Sequence, residues 1–195
     1  PMNDSHLSLI RTSHKLPERY ILFVGTMEPR KNLKRLLEAY DAIPEETRRG
    51  APLVIAVFSG WRNENLHAIL RHARNVILLG HVSEIDLAGL YNLATMVIYP
   101  SLYEGFGLPP LEAMACGAPV ITSDIPVLRE TCGTAAVFVS PDNTNDLMNG
   151  MIRLLKDQDE QVFRSRQGKE HSLQFSWEKT TKKYESIFRN ICIDI

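Results

Sequence analysis

The sequence has few cysteines, and no two of them are close together. Cys116, Cys132 and Cys192 are the three cysteines in 195 residues. Disulfide frameworks and zinc clusters need paired or closely spaced cysteines, so the sequence predicts neither. The histidines are scattered as well, since His67 and His72 lie five residues apart and point to different sides of a helix. We therefore expect no bound metal.

Long apolar runs and an excess of one charge are also missing. The chain has 22 Lys and Arg against 23 Asp and Glu, without the basic excess that is typical of nucleic-acid-binding proteins. No apolar run approaches the ~18 residues of a membrane span. The first residues do not follow the basic-then-apolar pattern of a signal peptide. These features indicate a cytoplasmic globular protein with no transmembrane segment and no nucleic-acid partner.

Short apolar strands alternate with amphipathic helices along most of the chain. The predicted strands are 20–24, 53–58, 76–79, 96–99, 119–122 and 136–139, and the predicted helices cover 33–40, 64–73, 85–94, a segment around 112, 147–155 and the segment from Ser176 onward. This order predicts an α/β fold, with a doubly wound parallel sheet of about six strands and a helical C-terminus. Residues 1–19 lack periodicity and are expected to form a leader arm or linker before a domain at 20–190.

Ligands of such sheets bind beyond the carboxyl ends of the strands. Gly25, Gly60 and Gly80 each follow or end a predicted strand, and the loop 100–107 follows another. All four are therefore expected on one rim of the sheet.

The loop on this rim belongs to the stretch SLYEGFGLPPLEAMACG at 101–117. Gly105 and Gly107 allow the backbone to bend and to bring its N–H groups close to a ligand. Pro109 or Pro110 suits the first turn of a helix, so a helix is predicted to start beside the loop. Its free N–H groups and positive dipole end predict an anion site that suits a diphosphate.

Glu104 and Glu112 flank this predicted anion site. A carboxylate can accept two hydrogen bonds from a vicinal diol, and a nucleotide-sugar has one diol on each side of its diphosphate. The two glutamates are therefore interpreted as diol-binding groups. An ordinary strand–loop–helix turn with exposed glutamates explains the same spacing and stays open.

Arg30 and Lys31 follow the first strand and open a predicted helix. Cations are unfavourable at a helix N-terminus unless an anion neutralises them, so the pair is interpreted as a phosphate grip. The alternative is a solvated basic turn.

Four segments together resemble a known family: FVGTMEPRKNL, LLGHVS, YPSLYEGFGLPPLEAMACGAPVITSD and FSWEK. Over residues 20–188 the chain is similar to the C-terminal domain of family-4 retaining glycosyltransferases. The resemblance implies the Rossmann-like, donor-binding half of a GT-B fold. The Pro-Arg-Lys-Asn run resembles the bacterial subgroup that builds polysaccharides, often from mannose-type donors.

The resemblance also implies roles for single residues. Lys31 matches the lysine that binds the donor diphosphate, and Glu112 matches the glutamate that holds the ribose. Glu104 matches the glutamate that touches the donor sugar. The residues whose backbone matches the part that meets sugar and phosphate are Gly105, Phe106, Gly107 and Leu108.

Further matches lie along the rim. Gly25 matches the glycine that faces the diphosphate, and the base is implied to be read at Gly80, His81 and Val82. Many family members carry an arginine directly after the first glycine, where this chain has Thr26. Arg30 is a candidate to replace that arginine, and with Glu104 and Lys31 it completes the implied catalytic set.

Members of this family hold their acceptor on an N-terminal domain that this chain does not resemble. The resemblance therefore implies that the chain binds a UDP- or GDP-sugar weakly and transfers nothing alone. It implies no cofactor and no metal, and an acceptor that is a glycan or is lipid-linked. Peripheral attachment of the full-length enzyme to the inner membrane is left open.

The sequence disfavours three other functions. A nucleotide-sugar epimerase would place histidines near Glu104 and Glu112, and none is found there. A regulatory receiver domain would need acidic residues at the end of the first strand, where Gly25 and Thr26 stand. A nicotinamide enzyme would need a third small residue where Pro110 stands.

Overall fold

Six parallel strands form one sheet in the computed structural model, which describes residues 2–57, 70, 73–80 and 82–192. The strands are β1 Ile21–Gly25, β2 Leu53–Val57, β3 Val76–Gly80, β4 Met96–Tyr99, β5 Val120–Ser123 and β6 Val137–Val139. Their order is β3-β2-β1-β4-β5-β6, and every pairing is parallel. Each strand begins and ends within one residue of its predicted bounds, so the predicted doubly wound sheet is confirmed.

Helices occupy most of the remaining described chain. They are α1 Asp4–Ser13, α2 Leu33–Asp41, α3 Glu45–Arg48, α4 Glu84–Leu93, α5 Leu108–Ala115, α6 Pro126–Cys132, α7 Thr144–Lys156, α8 Gln158–Ser172 and α9 Trp177–Cys192, with a short 3-10 helix at Pro29–Lys31. The helices predicted at 33–40, 85–94, around 112, 147–155 and from Ser176 are confirmed. The helix predicted at 64–73 lies mostly outside the described residues, and so do Gly60 and His81.

The sheet is covered on both faces, which explains why its strands are continuously apolar. Ile21 and Phe23 point into a core shared with α2 and α7. Their neighbours Leu22 and Val24 point into a second core shared with α1, α4 and α5. Successive side chains of a strand alternate between faces, so β1 contributes to both cores.

The strand order places a crevice beside β1. The chain moves outward from β1 through β2 to β3 and then returns to add β4 on the other side of β1. At such a reversal the loops after the two neighbouring strands diverge and leave room for a ligand. Residues 26–32 and 100–107 are these two loops.

The first residues are not a loose arm, so that expectation is wrong. Residues 4–13 form α1, and Asn3 caps the helix by accepting a hydrogen bond from the His6 N–H at 2.9 Å. Ile10 is 3% exposed and fills the space that a Cβ on Gly89 of α4 would need. The helix is polar apart from a few positions, which explains why no period was visible in the sequence. A domain boundary near residue 20 stays a prediction.

α8 is the longest of four described helices that the sequence did not predict, the others being α1, α3 and α6. Its sequence, QDEQVFRSRQGKEHS, has no apolar stripe. The signal it does carry is a cap, because Asp157 accepts a hydrogen bond from the Glu160 N–H at 2.8 Å. Gly168 lets α8 approach α5 closely, since a Cβ there would lie 3.1 Å from Met114 Cγ.

Candidate functional site

Hydrogen bonds join the loop after β1 to the loop after β4. Asn32 has a left-handed backbone (φ 59°), and its Nδ2 donates to the carbonyls of Pro100 at 3.0 Å and Pro141 at 2.7 Å. The Leu102 N–H donates to the Arg30 carbonyl at 2.8 Å. The residues predicted on separate loops are thus held at one place.

Lys31, Arg30 and Glu104 meet at this junction. Lys31 Nζ lies 2.6 Å from Glu104 Oε1, and Arg30 Nη1 lies 3.2 Å from Glu104 Oε2. The Tyr99 hydroxyl donates to Glu104 Oε1 at 2.8 Å and accepts a hydrogen bond from Lys31 Nζ. Lys31 and Glu104 are 6% and 9% exposed. These two residues therefore do not fit the alternatives of a solvated basic turn and an exposed glutamate.

The buried charges of this cluster stabilise one another. Burial is the largest single effect and raises the pKa of Glu104, but the hydrogen bonds that the carboxylate accepts, from Lys31 and Tyr99 first, and the charge of Lys31 together outweigh burial and leave the pKa below its usual 4.5. Burial and the neighbouring Glu104 carboxylate raise the pKa of Tyr99, so its hydroxyl stays protonated. Glu104 is therefore an ionised acceptor at neutral pH.

Arg30 has a second acidic partner. Its Nε lies 2.6 Å from Glu28 Oε2, and Thr26 donates its hydroxyl to Glu28 Oε1 at 2.9 Å. The hydrogen bond from Arg30 is the main cause that lowers the pKa of Glu28. Arg30 and Lys31 thus contact two carboxylates, those of Glu28 and Glu104. These carboxylates are the anions that neutralise the two cations at the N-terminus of the helix that follows.

The glycine loop offers a row of backbone donors. Among the described residues, no acceptor pairs with the N–H groups of residues 105–108. Pro109 and Pro110 occupy the first turn of α5 and have no N–H to offer, so three of the four free donors belong to the loop and the fourth, Leu108, is the first residue of the helix. Gly107 adopts a φ of +92°, which favours glycine.

Glu112 stands apart from the Glu104 cluster. It is exposed, and Oε2 accepts a hydrogen bond from the buried Tyr91 hydroxyl at 3.2 Å. No hydrogen bond or ion pair joins it to Lys31 or Arg30 within the described part of the chain. Glu112 opens instead onto a groove of about 640 Å³. The groove is also lined by Phe106, Leu108, Leu111, Ala115, Ser172, Phe175, Ser176, Trp177, Thr180 and Tyr184.

The remaining predicted site residues lie at different distances from the junction. Gly25 ends β1 beside Lys31, whose Cγ would lie 3.7 Å from an added Cβ. Gly80 ends β3, which β2 separates from β1. The Val82 side chain is buried in the second core, so only its backbone is available to a ligand. His81 lies outside the described residues.

Three residues of the site were missed by the sequence analysis. Tyr99 was counted as a strand residue, although its position at the end of β4 places its hydroxyl on the rim. Tyr91 was counted as a core position of α4, and Asn32 only as part of the basic run. Each of these residues has a polar side-chain atom, but each was assigned to an apolar element or to a loop. Their positions at the ends of strands or helices were the signal that could have marked them as site residues.

Two further classes of feature are absent from the described chain. No group of three or more His, Cys, Asp or Glu side chains is placed to hold a metal ion within residues 2–57, 73–80 and 82–192. None of the described helices combines the length and apolar character that crossing a bilayer requires. Metal independence itself stays a prediction.

Comparison with known proteins decides the family. The model of the family described as glycosyl transferases group 1 matches residues 9–171. The chain belongs to the glycosyl transferases group 1 family. This match includes both loops of the junction, the glycine loop and α5. It also includes the second half of α1, which was expected to lie outside the domain.

Curated relatives of this group 1 chain include mannosyltransferases. O-antigen chain mannosyltransferase B of Escherichia coli is 39% identical over 165 residues, which are 83% of this chain and 43% of that protein. Serotype-specific mannosyltransferase WbdA, also from Escherichia coli, is 36% identical over 186 residues, which are 90% of this chain and 22% of that protein. The chain thus spans less than half the length of these relatives.

Solved structures of GT-B glycosyltransferases share the group 1 fold. Sucrose-phosphate synthase from Thermosynechococcus elongatus matches with a TM-score of 0.84 and 27% identity, over 96% of this chain and 49% of that one. Anabaena HepE, solved in complex with UDP-glucose, matches with a TM-score of 0.84 and 17% identity, over 97% of this chain and 54% of that one. At that identity the second match is evidence of fold alone.

Proposed function

We propose that this chain is the donor-binding half of a family-4 retaining glycosyltransferase. Residues 20–190 hold a nucleotide-diphospho-sugar, and a second, N-terminal half of the full-length enzyme holds the acceptor. The observation that carries the proposal is the junction itself, at the point where the strand order reverses. There Lys31, Arg30 and Glu104 meet beside the backbone N–H groups of residues 105–108, which have no acceptor among the described residues.

The diphosphate binds between the two loops in this proposal. The free N–H groups of Phe106, Gly107 and Leu108 donate to its oxygens, as they would to any anion in a backbone concavity. Arg30 is half-exposed and leaves Glu104 for the phosphate, whereas the buried Lys31 stays in place. The carboxylate oxygen that Arg30 releases is then free to accept a hydrogen bond from the donor sugar.

The same groups act on the leaving group. As the bond between sugar and phosphate breaks, the nucleoside diphosphate gains negative charge, which Arg30, Lys31 and the backbone donors stabilise. No metal and no cofactor are needed for this neutralisation, and Glu104 supports positive charge on the sugar ring. Glu112 holds the ribose, and the backbone of residues 80–82 reads the base.

The donor is proposed to be a UDP- or GDP-sugar of the mannose type. The relatives at 39% and 36% identity are named an O-antigen chain mannosyltransferase and a serotype-specific mannosyltransferase. The acceptor is accordingly a bacterial polysaccharide or a lipid-linked precursor of one. The full-length enzyme is then cytoplasmic, at or near the inner membrane.

The exposed stripe of α9 supports the proposal that a second half exists. Trp177, Tyr184, Phe188 and Ile191 are each more than half exposed on this helix. The matched part of this chain spans 43% and 22% of the two mannosyltransferase relatives, which leaves enough further chain in each to cover the stripe. In the full-length enzyme α9 packs against the N-terminal half, and the chain alone lacks the acceptor site.

Calorimetric titration of the 195-residue chain with UDP, GDP, ADP and their sugars tests the donor site. We expect one nucleotide series to bind and no sugar transfer in a turnover assay. Glu112→Ala should weaken every donor of that series about tenfold, because all share the ribose whose hydrogen bonds to a charged group are lost. Glu178→Gln, an exposed glutamate on α9, is the matched control and should bind like the wild type.

Three results would contradict the proposal. If no nucleotide binds, the chain has no donor site. If the chain alone transfers sugar rapidly, it does not need a second half to hold the acceptor. Loss of affinity in Glu112→Ala for one sugar only would show that this carboxylate does not hold the ribose.

A further inference from the structure

The glycine loop rests on α6. Thr131, in the last turn of α6, donates its hydroxyl to the Phe106 carbonyl at 2.6 Å. Leu128, one turn earlier, lies 2.5 Å (Cδ2) from where a Cβ on Gly107 would stand. The loop is therefore fixed from behind by a hydrogen bond and by a close apolar contact.

The hydrogen bond to Phe106 sets the direction of the next N–H group. The Phe106 carbonyl and the Gly107 N–H belong to one planar trans peptide, so they point in opposite directions. Because the carbonyl points at Thr131, the Gly107 N–H points away from α6. It is one of the four N–H groups that find no acceptor in the described part of the chain.

A second set of contacts holds Thr131 and Phe106 together. His171 Nε2 donates to the Thr131 carbonyl at 2.8 Å, which satisfies one of the free carbonyls at the end of α6. The His171 ring packs against Phe175 at 5.4 Å between centroids, and Phe175 meets the edge of Phe106 at 6.0 Å. The corner between α8 and α9 thus supports the loop through both residues.

We propose that Thr131 is a positioning residue for the donor diphosphate. It is 1% exposed and has no access to a ligand, and it acts by aiming the Gly107 N–H at a phosphate oxygen. His171 and Phe175 hold Thr131 and Phe106 in the arrangement that this requires. The inference rests on the proposed function, because it takes the ligand of the glycine loop to be a nucleoside diphosphate.

Two variants separate the hydroxyl from the packing. Thr131→Val keeps the size and β-branching of the side chain and removes the donor, whereas Thr131→Ser keeps the donor and removes a methyl group. Of UDP, GDP and ADP, the nucleotide that the wild type prefers should bind Thr131→Val about tenfold more weakly. The reason is that the Gly107 N–H no longer points at the charged diphosphate and its hydrogen bond to the phosphate is lost. Thr131→Ser should bind within about twofold of the wild type.

Binding of the free nucleoside provides the readout that a purely structural role would not give. The affinity of both variants for the nucleoside should equal that of the wild type, since no phosphate is present. In proton–nitrogen spectra the Gly107 amide should shift on addition of the diphosphate in the wild type and in Thr131→Ser, but not in Thr131→Val. Should Thr131→Val fail to fold, Phe175→Leu removes the edge contact and should weaken the diphosphate about threefold.

The outcomes distinguish this inference from the proposed function. A wild-type chain that binds no nucleoside diphosphate overturns both. A wild type that binds and a Thr131→Val chain that binds equally well overturn the role of Thr131 alone. Equal losses in Thr131→Val and Thr131→Ser, or equal losses for nucleoside and diphosphate, would likewise show that the hydroxyl does not aim a phosphate contact.

Discussion

Glu104 is the acid that both Arg30 and Lys31 contact. Its negative charge therefore offsets the positive charges at the junction. Lys31 is 73 residues away in sequence, and both partners of the ion pair are buried. Removing one partner of a buried pair leaves the other charge uncompensated, which costs more than the pair itself contributes. A carboxylate at this place is therefore tied to the stability of the chain as well as to its site.

Glu104→Gln should lower the free energy of unfolding by about 3 kcal/mol at pH 7, because Lys31 loses its buried counter-charge. The pKa of Glu104 is below its usual 4.5 in the folded chain. A lowered pKa contributes stability above the unfolded value, and this contribution is lost as the pH falls through the folded pKa. The difference in free energy of unfolding between the wild type and Glu104→Gln should therefore be largest near pH 7 and should become smaller below about pH 4.5.

Thermal unfolding measured from pH 7 to pH 3 checks this prediction. At pH 7 the loss corresponds to a melting temperature roughly 10 °C lower for a chain of this size. Glu178→Gln, on the exposed surface of α9, serves as the control and should follow the wild type at every pH. A gap that stays constant down to pH 3 would show that the Glu104 charge does not stabilise the folded chain.

The residue types of the site were readable from the sequence, but their pairing was not. The glycines and prolines around Glu104 predicted a loop that runs into a helix, and that loop is present. The contact between Lys31 and Glu104 depends on the order of the strands, which brings β4 next to β1 although β2 and β3 come between them in the chain. Hydrophobic periodicity carries no information on such an order.

At the scale of elements, the strands were predictable because both faces of the sheet are buried. Each strand then becomes a short, wholly apolar run between turn residues, and such runs stand out in a sequence. α1 and α8 escaped notice because each buries little apolar surface and keeps a mostly polar sequence. Their packing relies on glycine instead: Gly89 admits Ile10 of α1, and Gly168 brings α8 against Met114.

Ile10 should be the residue that fixes α1 to the domain. Ile10→Ala removes buried methyl groups from the contact with Gly89 and should lower the free energy of unfolding by about 2 to 3 kcal/mol. Leu9→Ala, on the neighbouring position that is 63% exposed, is the matched control and should change it by less than about 0.5 kcal/mol. Chemical denaturation of both variants compares them directly. Equal, small effects would restore the interpretation of residues 1–19 as a loose arm.

At the scale of the whole molecule, the chain has two kinds of surface. The sheet and the helices that cover it enclose two apolar cores. α9 lies outside both of them, and its apolar residues Tyr184, Phe188 and Ile191 are all exposed. A stripe of this kind on a stable helix is typical of a surface that meets another protein or domain. Substitutions in the two cores should therefore lower the stability of the chain, whereas substitutions on the exposed stripe of α9 should affect only its contact with a second half of the enzyme.

Replacing Tyr184, Phe188 and Ile191 together with serine should leave the melting temperature of the chain within about 2 °C of the wild type, because little buried area is lost. The same variant should bind less of the hydrophobic dye ANS, since the exposed stripe has been removed. Tyr184 also lines the groove onto which Glu112 opens. The affinity for the donor nucleotide is therefore compared on the double variant Phe188→Ser with Ile191→Ser, which should bind the nucleotide like the wild type.

A buried position on another C-terminal helix gives the comparison. Leu154→Ser, on the inward face of α7, should lower the melting temperature by roughly 10 °C, because it creates a cavity and buries a hydroxyl group. If the triple variant loses as much stability as Leu154→Ser, the stripe already packs within this chain. The stripe would then not be a surface for a second half, and this result would contradict the proposal that α9 packs against an N-terminal half.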